Sequence, residues 1–182
     1  HLEAMGGVDA VALDKTGTLT RGELTVTDLL PLGDADEAAL LRRAAALEQR
    51  SEHPIAAAIL DRAGDADVSE LAEPVEFESL TGKGIRAEID GETYYAGKPA
   101  LFEELGFDLS RARAETDGGV VTGGDERDDG AERERDDAGG EFPAGTLSAL
   151  EREGKTVVLV GTATELTGAV AVADEVRRDS KR

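Results

Sequence analysis

The sequence predicts an α+β domain, an antiparallel sheet flanked by helices, inserted into a partial α/β domain. Three observations carry this expectation. Residues 8–13 form a short apolar run that ends in a polar, Gly-containing turn, the pattern of a buried parallel strand. Residues 22–165 then mix helical stripes with short strand segments, two of them joined by Asp90-Gly91, a strong hairpin signal. Residues 166–173 make a return strand, and Asp174 onward reads as the start of a helix. The expected division is 1–21 and 166–182 for the two pieces of the α/β domain, with 22–165 grown from a loop between them.

The elements follow in order. After the turn at 14–20, residues 23–30 are rich in β-branched side chains and end at Pro31 and Gly33, which predicts a strand. Asp34 or Asp36 can cap a helix over 37–49, whose stripe is Leu40, Leu41, Ala44, Ala45 and Leu47. Ser51 to Pro54 interrupts it, and Pro54 suits the first turn of a second helix reaching about Ala63. Strands are expected at 75–80, 84–90 and 93–96, and a short helix at 98–105 closed by Gly106. The stretch 115–141 holds eleven acidic residues, three arginines and seven glycines and almost nothing apolar. It cannot bury enough surface to offset chain entropy and reads as a disordered insertion ending at about residue 142. A helix over 146–152 and a strand over 155–160 follow.

Composition narrows the function. At 182 residues the chain has room for one ordinary domain, or a small domain and part of another. With 40% apolar residues and only 3% aromatic, its core must be built from Ala, Val and Leu. No cysteine is present, which excludes disulfides, thiol nucleophiles and cysteine metal sites. No apolar run approaches the roughly 20 residues that span a bilayer, and no signal peptide is visible. The net charge of −20 argues against nucleic acid or an anionic membrane surface as partner. We read the acidic excess as a halophilic, salt-screened surface. The first residue is His1 rather than Met, and the chain opens at once on domain-like sequence, so a piece of a longer protein is expected.

Asp14-Lys15-Thr16-Gly17-Thr18-Leu19-Thr20 is the stretch with chemistry in it. In an open α/β sheet, ligands bind just beyond the carboxyl ends of the strands, where Asp14 falls. A carboxylate there can attack a phosphoryl group and form an aspartyl-phosphate. Lys15 adds positive charge, Gly17 permits a sharp turn, and Thr16 and Thr18 offer hydroxyls and main-chain groups. The alternative is an ordinary polar turn. A second constellation comprises Glu48, His53, the pair Gly82 and Gly84, and Gly97. A His beside a proline can stack on a purine ring, a carboxylate can accept from an exocyclic amine, and paired glycines let backbone approach a ligand. Each residue alone is more simply a surface His, a turn or a solvated carboxylate.

Together these motifs resemble those of the heavy-metal-transporting P-type ATPases. The heptad 14–20 is similar to that family's phosphorylation signature. Glu48 with Ser51-Glu52-His53-Pro54 is similar to its adenine-site signature, and Gly82-Lys83-Gly84 to its Gly-x-Gly loop. Tyr95-Ala96-Gly97-Lys98 resembles its Gly-Asn site, with Lys98 in the place of Asn. Residues 172–177 resemble the return into the phosphorylation domain, which would put Asp174 and Arg177 at a hinge. The flanks are more similar to zinc/cadmium/lead pumps than to copper pumps.

The resemblance implies a nucleotide-binding domain inserted into a partial haloacid-dehalogenase-like phosphorylation domain. It implies ATP and Mg²⁺ as cofactors, and Asp14 as the residue phosphorylated in the intact protein. The Asp14 carboxylate and Thr16 carbonyl would hold Mg²⁺, Thr18 would help hold the phosphoryl group, and Glu48, His53, Gly82, Gly84 and Gly97 would hold the adenine end. It implies a cytoplasmic part of an integral plasma-membrane pump whose heavy-metal cation passes through membrane helices this sequence does not include. Thr-Gly-Asp and Gly-Asp-Gly-x-x-Asn-Asp motifs are absent, so ATP binding with little turnover is expected of this chain by itself. Two alternatives stand beside this: a haloacid-dehalogenase-type phosphatase, and a non-catalytic nucleotide-binding module. The phosphatase usually needs a second Asp two residues after the first, where this chain has Thr16.

Overall fold

The computed structural model describes residues 20–68, 71–114 and 140–176. The expected strand at 8–13 and the heptad up to Leu19 lie outside these residues, as do 115–139 and 177–182.

Among the described residues, six strands and four helices are laid out as β1 (Thr20–Pro31), α1 (Glu37–Glu48), α2 (Pro54–Asp65), β2 (Val75–Leu80), β3 (Gly84–Ile89), β4 (Glu92–Gly97), α3 (Pro99–Glu104), α4 (Thr146–Arg152), β5 (Thr156–Gly161) and β6 (Leu166–Val176). The strands form one sheet in the order β1-β6-β5-β4-β3-β2, and every neighbouring pair is antiparallel.

Local chemistry accounts for most of these bounds. Asp36 caps α1, its carboxylate accepting from the Ala39 N–H at 2.7 Å. Pro54 opens α2 at a position where the missing N–H costs nothing. The β3–β4 hairpin turns on Asp90 and Gly91, both at positive φ (53° and 84°), as a two-residue primed turn requires. β2 is an edge strand and carries a register shift between Val75 and Glu78, with Glu76 at φ 49°. An irregular, acidic edge of this kind discourages pairing with a second sheet.

The helices cover both faces. On one, Leu40, Leu41, Ala44, Ala45 and Leu47 of α1 and Ile59 of α2 pack on Ile85, Ala87, Ala96, Val158, Val160, Val170 and Val172. On the other, Leu101 and Phe102 of α3 and Leu147 and Leu150 of α4 pack on Val157, Leu159, Ala169 and Ala171. Successive residues of β5 and β6 thus serve opposite cores. This is why these two strands are unbroken apolar runs instead of alternating ones. The predominance of Ala, Val and Leu matches the composition.

Three expectations change. The helix expected from Asp174 onward is absent to Val176: Asp174 pairs with Leu24, and β6 continues to Val176 opposite Thr20. Asp174 has the chemistry of a helix cap, but a ladder partner on β1 decides its conformation. The expected boundary at 165/166 falls inside the sheet, since β6 lies between β1 and β5. Residues 141 and 142, expected to close a disordered insertion, are instead packed: Phe142 is buried in the second core and the Glu141 carboxylate lies 3.7 Å from Arg111.

Two stability measurements follow. A chain ending at residue 165 loses β6 and is expected not to fold: its amide NMR dispersion collapses and its urea transition loses cooperativity, while a chain ending at 176 keeps both. Phe102→Ala, at a side chain with no solvent exposure, is expected to cost about 3–5 kcal/mol in denaturant titrations.

Candidate functional site

α1 ends on Glu48, and the link to α2 turns tightly there. The Ser51 N–H donates to the Glu48 carbonyl oxygen at 2.9 Å. His53 caps α2 from its side chain: its Nδ1 accepts from the Ile55 N–H at 3.2 Å, while its own N–H donates to Ser51 Oγ at 3.3 Å. With Nδ1 occupied as an acceptor, a neutral His53 carries its proton on Nε2. Glu48 is only 6% exposed, the one charged residue in the buried set among the described residues. Burial pushes its carboxyl above the usual range, opposed by a hydrogen bond from Ser51.

The turn from β2 into β3 closes through the Lys83 N–H, which donates to the Leu80 carbonyl at 2.9 Å. Gly82 occupies the third position of that turn at φ 73°, where a type II turn needs a positive φ. Nothing would meet an added Cβ at Gly82, so backbone conformation alone requires glycine. Gly84 and Gly97 differ. They are Cα partners across the β3–β4 ladder. A methyl on Gly84 would overlap the Ala96 carbonyl oxygen and the Gly97 Cα, and one on Gly97 would overlap the Lys83 carbonyl oxygen. The chain itself fills the space that was expected to admit a ligand's approach, so these two glycines have a packing reason.

Glu48, His53, Gly82, Gly84 and Gly97 nonetheless line one cavity of about 180 Å³. Its buried wall includes Ile85, Ala96 and Val158. Its polar lining adds Ser51, Ser79, Lys83, Lys98 and Thr156. The sequence reading left these five out as site residues, although Ser51, Lys83 and Lys98 stood inside the quoted motifs. Thr156 had no local signal: it arrives because β5 begins beside the end of β4.

The register sets the cavity's place. Gly84 opposes both Leu80 and Gly97, Gly97 opposes Leu159, and Thr156 opposes Val172. The cavity therefore lies at the end of the sheet where β1 begins and β6 finishes, and Thr20 opposes Val176 there. Asp14, Lys15, Thr16 and Thr18 lie outside the described residues. No group of three or more His, Cys, Asp or Glu suited to a metal occurs among the described residues.

A three-layered antiparallel domain with a ring-sized, partly charged cavity at one end invites comparison with known proteins. The chain matches the family model of haloacid dehalogenase-like hydrolases over residues 8–181, and it belongs to that family. Its particular relatives are metal-transporting ATPases. It is 38% identical over 183 residues to the probable cadmium-transporting ATPase of Staphylococcus aureus (strain MRSA252), an alignment taking in 100% of this chain and 21% of that protein. It superposes with a TM-score of 0.68 and 30% identity on a zinc-transporting PIB-type ATPase in the E2.Pi state, covering 98% of this chain and 24% of that one. It shares a fold (TM-score 0.52, 24% identity) with the N-domain of HMA8, a copper-transporting P-type ATPase, covering 82% of this chain and 99% of that one. The resemblance to heavy-metal P-type ATPases drawn from the motifs is borne out by these relatives. The chain spans about a fifth of the length of the curated relatives it matches.

The glycines and Glu48 can be tested for stability. Gly82→Ala is expected to cost about 1–2 kcal/mol for its left-handed φ. Gly84→Ala is expected to cost more, because overlap with neighbouring backbone adds about 1–3 kcal/mol of overpacking. The raised carboxyl of Glu48 binds its proton more tightly in the folded state than in the unfolded one. Stability should therefore fall as pH rises from the ordinary Glu range through its raised value. Glu48→Gln removes that fall, so urea midpoints measured between about pH 4 and 8 should flatten and the neutral-pH midpoint should rise.

Proposed function

We propose that this chain is the ATP-binding and phosphorylation-site part of an ATP-driven heavy-metal cation pump, with the adenine ring in the cavity at Glu48 and His53. The observation that carries this reading is convergence. Five residues selected from separate motifs, spread from position 48 to 97, line a single cavity.

The chemistry fits a purine. The buried apolar wall suits a flat ring, the Glu48 carboxylate suits an exocyclic amine, and the exposed His53 lines the cavity with its ring oriented by the Ile55 N–H. At about 180 Å³ the cavity is smaller than the roughly 300 Å³ of pockets that enclose whole ligands. The base enters and the ribose and phosphates project outward. They project at the sheet end where Thr20, last residue of the phosphorylation heptad, opposes Val176. This pairing sets the two ends of the described domain side by side, as insertion into a haloacid-dehalogenase-like domain requires.

In the reaction a carboxylate oxygen of Asp14 attacks the γ-phosphorus, the bond to the β–γ bridging oxygen breaks, and ADP leaves. Mg²⁺, held by the Asp14 carboxylate and the Thr16 carbonyl, would neutralise phosphate charge, while Lys15 and Thr18 position the transferred group. The whole protein would lie in the plasma membrane with this part on the cytoplasmic side and carry a cation of the zinc or cadmium type. No helix among the described residues is long and apolar enough to cross a membrane.

Calorimetric titration of ATP tests the cavity. Glu48→Ala and His53→Ala are each expected to weaken binding by about tenfold or more, the effect of about 1.4 kcal/mol, and unchanged affinities would exclude this cavity as the site. In the full-length protein, Asp14→Asn is expected to abolish acid-stable labelling from γ-labelled ATP. Label surviving on Asp14→Asn would exclude Asp14 as the acceptor.

A further inference from the structure

The sequence contains five lysines, and three of them, Lys83, Lys98 and Lys155, fall among the described residues. Lys155 is committed to structure: its Nζ lies 2.8 Å from Asp28 and 2.6 Å from Glu153. The other two both line the cavity. In a chain of net charge −20, two cations at one cavity need a reason.

Their backbones are tied together, since the Lys98 N–H donates to the Lys83 carbonyl at 2.9 Å. The two cationic side chains thus start from neighbouring points on the exposed side of the site. Lys83 Nζ pairs with the Glu104 carboxylate at 2.6 Å, with side chains 48% and 56% exposed. Lys98 Nζ makes no hydrogen bond or ion pair among the described residues. The cavity carries both signs of charge, set at different depths: Glu48 is buried, and Lys83 and Lys98 are exposed. That arrangement orients a ligand carrying an amine at one end and negative charge at the other.

We propose that Lys83 and Lys98 hold the phosphate end of the bound nucleotide, and that Glu104 competes with those phosphates for Lys83. The proposal rests on the nucleotide reading of the cavity and adds to it the residues that read the ligand's charge. Lysine serves here as a mobile point charge, which suits phosphate oxygens with no fixed fork geometry. An exposed ion pair such as Lys83–Glu104 contributes little to stability, so exchanging Glu104 for a phosphate costs little. The acidic surface repels an approaching polyanion at long range, but salt screens that field beyond about 8 Å at physiological strength. Within that distance the groups at the site itself decide: Lys83 and Lys98 attract the phosphates, and Glu104 competes for Lys83.

The test is a set of NMR titrations, which also read weak affinities, with adenosine, ADP and ATP at fixed salt and without added divalent cation. The variants are Lys98→Gln, Lys83→Gln and Glu104→Gln, all at exposed positions, with urea midpoints checked for each. Lys98→Gln is expected to weaken ATP about tenfold, as loss of a charge-assisted contact does, and to leave adenosine unchanged. Lys83→Gln should weaken ATP by less, because its charge is shared with Glu104. Glu104→Gln should tighten ATP and leave adenosine unchanged. The dependence of ATP affinity on salt should be shallower in both lysine variants. ATP binding that is no tighter than adenosine binding, or lysine variants that bind ATP like the parent chain, would overturn this assignment and leave the base cavity standing. Absence of binding by adenosine and ATP alike would remove the nucleotide reading, and this proposal with it.

Discussion

The pairing of the first described strand with the last is the constraint on which the rest of the molecule depends. β1 and β6 run antiparallel from Thr20 opposite Val176 to Pro31 opposite Gly168. β6 also pairs with β5 from Leu166 to Val172, so over that stretch it carries ladders on both edges and cores on both faces. Without it the sheet divides, and α1 and α2 lose Val170 and Val172 from the surface they cover. Contacts that link residues nearly 150 positions apart close late and slowly, since the entropy of loop closure must be met first. A polar clamp reinforces the register. Asp28 accepts from Lys155 Nζ at 2.8 Å and from Thr27 Oγ1 at 2.7 Å, beside the irregularity between Val26 and Asp28. Burial opposes ionisation of Asp28, yet these hydrogen bonds hold its carboxyl below the usual range.

From that sheet the cavity follows. Once β5 is fixed beside β6, β4 and β3 extend the surface, and their glycines allow the strands to close up at one end. Gly84 and Gly97 let the two backbones meet without side chains between them, and the cavity opens beside that contact against Ile85 and Ala96. Glu48 is the costly component. It is buried, and it ends a helix, where the macrodipole already disfavours negative charge. Burial raises its carboxyl, and a perturbed carboxylate lining a cavity marks a candidate site.

Much of this was legible in the sequence because the signals were local. Asp36 and Pro54 mark helix starts by their own chemistry, Asp90-Gly91 marks a hairpin, and the runs in β5 and β6 mark strands buried on both sides. Strand order was not legible, because nothing in residues 166–176 says that they pair with residues 20–31 on one side and 156–161 on the other. The same non-locality hid the end of β6: Asp174 looks like a helix cap until Leu24 is seen opposite it. The candidate site was legible as a set of residues but not as a set of reasons. Sequence could not distinguish a glycine that admits a ligand from one that admits a neighbouring strand, and in Gly84 and Gly97 the neighbouring strand is what fills the space.

Register also relates the cavity to the heptad at 14–20. Thr20, which ends the heptad, opens β1 at the end of the sheet that holds Gly84, Gly97 and Thr156. Asp14 is six residues before Thr20, so even a fully extended chain places it within about 20 Å of that strand end. A nucleotide whose base is held at Glu48 and whose phosphates point past Lys83 and Lys98 would therefore present them toward the region that Asp14 can occupy. On the proposed reading, both connections to the host domain leave from one end of the sheet, at Thr20 and Val176, which are paired there. A domain inserted at a single point of its host can move as a body without breaking its own core, and its ligand travels with it.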